Sequence, residues 1–253
     1  MNRQGRVESS SDIESFEAQG VRKGEEKLGD VDDLIAATRA EAIREDFPID
    51  RPVYERAGKD PFQPVLYAGS LQAKVAVLGR DLGKDEVAAE QPLIGAGGRL
   101  VRTGFFQAVN GIAAPASDRA LESVLAHVLL TNTVPYKPPG NKAYSRAVKE
   151  RFRPFVAELL VKHWTGGSHL ITLGNEAFFW FAPYADALEF ETFWNREDRY
   201  EAEMTCEIVS GSTRKSLVLL PLPHPSPLNA RWYKKFPELL ERRLRPLLDR
   251  CPA

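Results

Sequence analysis

The chain has 253 residues, 43% hydrophobic and 27% charged, an ordinary balance for a water-soluble globular protein and enough for one large domain. Lys and Arg total 34 against 35 Asp and Glu, so net charge advertises no nucleic-acid partner and any DNA-facing surface has to be a local basic patch. The two cysteines, Cys206 and Cys251, match no metal-ligand spacing, no apolar run is long enough to span a membrane, and the charged N-terminus shows no secretory signal.

Residues 1–29 are rich in Ser, Gly, Gln, Glu and Arg and predict a disordered tail, with one domain over 30–253. From Asp30, the spacing of Val31, Leu34, Ile35, Thr38 and Ala42 predicts a helix stopped by Pro48. Asp30, Asp32 and Asp33 place negative charge where the helix dipole favours it. Residues 52–69 mix Pro, Gly and aromatics and read as ordered loop. The run Lys74-Val75-Ala76-Val77-Leu78-Gly79 predicts the first buried strand. A polar loop over 80–98 follows, then Arg99, Leu100, Val101, Phe105, Phe106, Val109 and Ile112 recur at helical intervals. A second strand is expected within 121–132, centred on 126–131, and Lys137-Pro138-Pro139-Gly140-Asn141 is a rigid turn. Residues 146–164 form an amphipathic pattern with Val148, Phe152, Phe155, Leu159 and Leu160 on one face, broken by Gly166-Gly167.

A third strand is predicted at 169–174, with Asn175 capping a short helix through Phe178 and Phe179. The charged stretch 192–213, partly alternating over 203–209, predicts a hairpin or insertion. A fourth strand covers 215–220, and a C-terminal helix over 232–248 turns Leu239, Leu240, Leu244 and Leu247 to the core. Four strands alternating with helices predict one α/β domain with a central, mainly parallel four-stranded sheet flanked by helices. All the unusual loops follow strands, so they converge on the sheet's C-terminal edge, where open α/β sheets place their chemistry.

The stiffest of these loops is the last. Leu219-Leu220-Pro221-Leu222-Pro223-His224-Pro225-Ser226-Pro227-Leu228 carries four prolines in seven positions. Proline fixes φ and removes a donor, so this segment cannot extend a sheet and presents His224, Ser226 and Leu228 on a rigid frame. By itself the string is equally compatible with a structural turn holding a hydrogen-bonded histidine.

Four segments, taken in order, give the chain its resemblance to the uracil-DNA glycosylase superfamily. Gly79-Arg80-Asp81-Leu82-Gly83, with Gln91-Pro92-Leu93-Ile94-Gly95-Ala96-Gly97-Gly98, resembles the family's water-activating loop and pocket wall. Leu130-Thr131-Asn132-Thr133-Val134 and the following Pro138-Pro139-Gly140-Asn141 resemble its base-reading segment. Leu173-Gly174-Asn175-Glu176-Ala177 resembles its phosphate loop, and His224-Pro225-Ser226-Pro227-Leu228 its signature histidine and wedge loop.

The resemblance implies catalytic roles for Asp81 and His224. It implies a base pocket of Asn132, Leu93, Gly83, Leu82 and Arg80, and DNA contacts by Pro92, Pro138, Asn175, Ser226, Leu228 and Arg231. The chemistry asks for these residue types. A base inside a duplex has to be flipped out, at a few kcal/mol of unstacking, and a side chain such as Leu228 can fill the gap. Breaking an N-glycosidic bond builds positive charge on the sugar, which a carboxylate stabilises while orienting water. It builds negative charge on the base, which a histidine donor stabilises. An asparagine amide both donates and accepts, as reading a base edge requires. Each residue also has a plain alternative: a turn-capping aspartate, an asparagine satisfying backbone at a strand end, a core leucine. Lys137, Lys142, Arg146, Lys149, Arg231, Lys234 and Lys235 are candidates for the DNA-facing patch, or for solvated helix faces.

The departures from the family pattern bear on specificity. Gly83 stands where the uracil-specific branch carries a tyrosine that excludes thymine's methyl group. The loop pattern is closest to the branch with an iron–sulfur cluster, but the ligating cysteines are absent, so no cluster and no other cofactor is expected. Leu93 replaces the base-stacking phenylalanine, leaving Phe105, Phe106 or another ring to substitute. The expectation is a monofunctional DNA glycosylase of base excision repair, acting on uracil or a related deaminated or damaged base in DNA by base flipping, with water as nucleophile. It is expected to be a monomer without membrane association, cytoplasmic and nucleoid-associated, or nuclear in a eukaryote. Two other readings stand beside it: a non-catalytic relative that binds damaged or single-stranded DNA, and an unrelated α/β hydrolase of a small molecule.

Overall fold

The computed structural model describes residues 29–140 and 142–248, so all of the expected N-terminal tail except Gly29 lies outside the described residues. Helix α1 (Val31–Arg44) starts in a capping box, in which Asp30 accepts from the helix backbone while the Asp33 carboxylate reaches back to the Asp30 N–H. It buries Leu34, Thr38 and Ala42 and ends at Arg44, where Glu45 is already extended, so Pro48 is not what stops it. The stretch expected to be loop holds two short elements. Helix α2 (Arg51–Ala57) has proline in its first turn and a left-handed Gly58 after its last residue. Strand β1 is Tyr67–Gly69.

Strand β2 (Val75–Gly79) is buried along its whole length, as expected of a strand covered on both faces. Helices α3 (Lys84–Ala89) and α4 (Ala96–Asn110) follow, then a 3-10 segment Arg119–Ala126 and strand β3 (Val128–Asn132). Helix α5 (Arg146–Glu158) runs into a π-helical turn, Leu159–His163. Strand β4 (His169–Leu173) leads directly into α6 (Gly174–Phe179). Then come α7 (Ala187–Trp194), β5 (Met204–Ser210), β6 (Thr213–Leu222) and α8 (Ala230–Tyr233). The expected single C-terminal helix is divided, and its main part is α9 (Phe236–Leu248).

These strands form one mixed sheet of six in the order β1-β3-β2-β4-β6-β5. The four predicted strands are its parallel centre, β3, β2, β4 and β6. The four-stranded expectation is corrected at both edges, where β1 pairs antiparallel with β3 and β5 pairs antiparallel with β6. β1 has three residues, too few to show a period. β5 does alternate between buried and exposed positions, as an edge strand covered on one face should.

Alternate residues of the central strands feed two cores. Ala76, Leu78, Leu170 and Leu219 join Leu34, Leu160, Trp164 and Phe178 on one face. Val75, Val77, Leu130, Ile171 and Leu222 meet Val101, Phe105, Leu240 and Leu244 from α4 and α9 on the other. The register aligns Gly79 with Asn132 and Leu173 with Leu222, so the parallel strands finish side by side at one edge.

Candidate active site

At that edge the loops after β2, β3, β4 and β6 enclose a cavity of about 170 Å³. Its lining includes Gly79, Arg80, Asp81, Leu82, Gly83, Glu86, Leu93, Asn132, Leu173, His224 and Pro225. That is smaller than the roughly 300–1,000 Å³ of a pocket for a drug-sized molecule and suits a single small ring.

Asp81 leaves β2 two residues past its end, with a side chain 1% exposed. Arg80 Nε lies 2.9 Å from its Oδ2, yet neither carboxylate oxygen has an aligned hydrogen-bond donor. Burial pushes the Asp81 pKa up to about 6, against the downward pull of Arg80 and Lys149 and with a smaller upward push from Glu176. At neutral pH the group is therefore ionised and buried, with the Arg80 guanidinium beside it.

Asn132 is the last residue of β3 and is 1% exposed. Its Oδ1 leans over Gly79 so closely that a Cβ there would overlap it. Its Nδ2 is buried with no acceptor. The neighbouring Thr133 fixes the β3 end to the Asp81 loop, donating its N–H to Gly79 O and Arg80 O at 3.0 Å each and its hydroxyl to Arg80 O.

His224 is solvent-exposed where the cavity opens. The protein around it still excludes enough water that burial, with the Arg80 guanidinium second, lowers its pKa and favours the neutral imidazole. Gly174, at φ +82°, packs beneath it, and a Cβ at that position would lie 3.0 Å from His224 Cβ. Asn229 Nδ2 donates to His224 O at 3.1 Å, and Ser226 Oγ accepts the Leu228 N–H at 3.3 Å, which shapes the proline loop from within. Leu228 is 96% exposed.

The facing wall is built from the 80–98 loop. Leu93 adopts φ 57°, a left-handed conformation that costs a non-glycine residue roughly 1–2 kcal/mol. Gly98 packs so tightly on the Leu93 carbonyl group that a Cβ would overlap it, and Gly97 approaches Pro225 O, which would lie 2.9 Å from a Cβ. Leu82 is buried against the third apolar cluster, which includes Tyr144 and Phe152.

The structure thus brings Asp81, Asn132, His224, Leu82, Gly83, Leu93 and Arg80 together around one cavity. The other sequence-predicted residues lie outside its lining. Pro92 and Pro138 are buried, their carbonyls accepting from Arg102 and Lys137 respectively. Asn175 is exposed inside the first turn of α6 and does not cap it; Leu173 holds the cap position. Arg231 is exposed on α8, with its guanidinium carbon 5.2 Å from the Trp232 ring centroid. Lys137, a candidate for the DNA-facing patch, is buried 3.3 Å from Asp50 and holds the 138–140 turn instead. Phe105 and Phe106 pack in the α4 core, and among the described residues no Phe, Tyr or Trp lines the cavity.

Two buried residues escaped the reading of the sequence. Glu86 accepts the Gly83 and Leu93 N–H groups, and Arg102 donates to the Pro92 and Leu93 carbonyls. Glu86 had a signal, since Gly83-x-x-Glu86 has capping-box spacing; Arg102 sits on a helix face with nothing local to mark it. Among the described residues no group of three or more His, Cys, Asp or Glu is arranged to hold a metal ion, and no helix is long and apolar enough to cross a membrane.

A family model described as the uracil DNA glycosylase superfamily matches residues 66–248. No curated protein matches the chain. The matched span runs from just before β1 to the end of α9 and takes in every loop around the cavity. The chain belongs to the uracil DNA glycosylase superfamily.

Proposed function

We propose that the protein is a monofunctional DNA glycosylase that hydrolyses the N-glycosidic bond of uracil or a related deaminated base in DNA. One arrangement carries this reading: the buried Asp81 carboxylate, 2.9 Å from Arg80 Nε, and the buried Asn132 Nδ2, which has no acceptor, line one small cavity. Native proteins satisfy almost all buried polar groups, so such a pair points to a ligand that completes it. Asn132 Nδ2 offers a donor to a carbonyl acceptor on the base edge. Neutral His224 donates toward a base carbonyl as negative charge develops there. Ionised Asp81 stabilises the positive charge growing on the sugar and orients the water that attacks it.

The C–N bond breaks with its electron pair leaving on the base, water forms the new C–O bond, and Asp81 accepts the water's proton. Among the described residues no lysine lines the cavity. Leu228, exposed on the proline loop, is the side chain suited to enter the duplex as the base leaves it.

A second reading is favoured by one contact. Arg80 Nε at 2.9 Å offsets the Asp81 charge on which hydrolysis depends, as in a relative that binds flipped or unpaired nucleotides without cutting. Base release from oligonucleotides carrying uracil, hypoxanthine, xanthine or thymine opposite guanine separates the two. Release that is lost in Asp81→Asn and His224→Ala supports the glycosylase. Tight binding with no release from any strand supports the binding relative.

A further inference from the structure

The wall formed by Leu93 is gripped from both sides by buried charges. Glu86 Oε1 accepts the Leu93 N–H at 2.8 Å while its Oε2 accepts the N–H of Gly83, which belongs to the Asp81 loop. Arg102 Nε donates to Leu93 O at 3.0 Å, and its Nη2 donates to Pro92 O and Gln91 Oε1, both at 3.2 Å. Glu86 is 8% and Arg102 4% exposed, so each spends a desolvated charge on the backbone of one short segment.

Buried charges are a poor way to gain stability, because apolar residues of equal volume do as well or better. What these two charges achieve is placement. They hold a leucine in a left-handed backbone that it would otherwise leave. Leu93 matters because no aromatic ring among the described residues lines the cavity. An aliphatic wall offers a base dispersion and shape but no ring stacking, so the position of that wall decides which base fits.

We infer that Glu86 and Arg102 are positioning residues that fix Leu93 as the face against which the base lies and thereby set discrimination among bases. The assignment of a base as ligand rests on the glycosylase reading; the clamp on Leu93 does not. Glu86 also couples the two sides of the cavity, because the same carboxylate holds Gly83 beside Asp81 and Leu93 opposite it.

The test uses the full chain with Glu86→Gln, Arg102→Met, Arg102→Lys and Leu93→Ala, and the double variant Leu93→Ala/Arg102→Met. Single-turnover release of uracil and of thymine opposite guanine is measured for each, with amide hydrogen exchange at Leu93 and Gly83 read in parallel. Arg102→Met is expected to lower the preference between the two bases about tenfold, and Arg102→Lys, which keeps a donor, to restore most of it. In the Leu93→Ala background, Arg102→Met should change that preference by less than about twofold, because its path is already removed. Equal loss on both bases, added unchanged on top of Leu93→Ala, would mean that the clamp serves folding alone and overturns the inference. If the parent protein releases no base, the glycosylase reading fails, and amide exchange then judges the clamp separately. Faster exchange at Leu93 in Glu86→Gln and Arg102→Met, by about tenfold or more, upholds it, and unchanged protection overturns it.

Discussion

An ionised Asp81 is costly where it sits. Its side chain is 1% exposed, its oxygens have no aligned donor, and burial raises its pKa from 3.8 to about 6. The folded state therefore holds the proton more tightly than the unfolded chain, and stability falls as pH rises from about 4 through 6. Above that window the penalty is about 3 kcal/mol. Asp81→Asn is accordingly expected to raise the melting temperature at neutral pH while cutting base release by roughly a hundredfold or more. A variant that loses both stability and activity would contradict this account. The same group predicts a rising limb near pH 6 in the kcat/KM profile, because the ionised carboxylate is the active form. Arg80 lowers the pKa of both Asp81 and His224, so Arg80→Met should move that limb to higher pH; an unmoved limb would place the essential titration elsewhere.

The junction between β4 and α6 sets the position of His224 without touching the chemistry. Gly174 takes φ +82°, and a Cβ there would crowd the histidine, 3.0 Å from its Cβ. Gly174→Ala should cost about 1 kcal/mol or more through its backbone alone. It should also lower single-turnover excision by a larger factor than it lowers DNA affinity, because the imidazole is displaced while the outer contacts remain. Equal losses in both measurements would assign Gly174 to folding only. The other junctions were read from sequence with uneven success. The capping carboxylates of α1 mark its start, whereas α2, seven residues long, and β1, three residues long, are too short for periodicity to reveal. Pro237, in the first turn of α9, marks where the expected C-terminal helix divides.

For the whole molecule, a formal net charge of −1 gives no general attraction to DNA. Binding has to come from exposed cations such as Lys142, Arg146 and Arg231. A footprint of about three phosphates would weaken binding roughly 40-fold between about 50 and 200 mM salt, well short of the loss seen with extensive DNA interfaces. A steeper dependence, measured by titration, would mean that further exposed cations such as Lys234 and Lys235 join the interface. Leu228→Ala should slow excision from duplexes more than from single strands, since only a duplex leaves a stacked gap to fill.

The sequence by itself determined the parallel centre of the sheet, because long apolar runs followed by Gly, Pro and Asn encode buried strands ending in loops. It also determined the residue types gathered at the sheet edge, since Asn132 ends a strand and Asp81 and His224 each follow one closely. The alternation over 203–209 likewise marked β5, whereas the antiparallel edge strand β1, the burial of Pro92, Pro138 and Lys137, and the clamp of Glu86 and Arg102 on Leu93 were decided by the tertiary structure. Local spacing records which way a side chain points along its own element. Desolvation, an unmet hydrogen bond and a backbone held at positive φ depend on what packs there from distant parts of the chain, and no single stretch of sequence contains both partners.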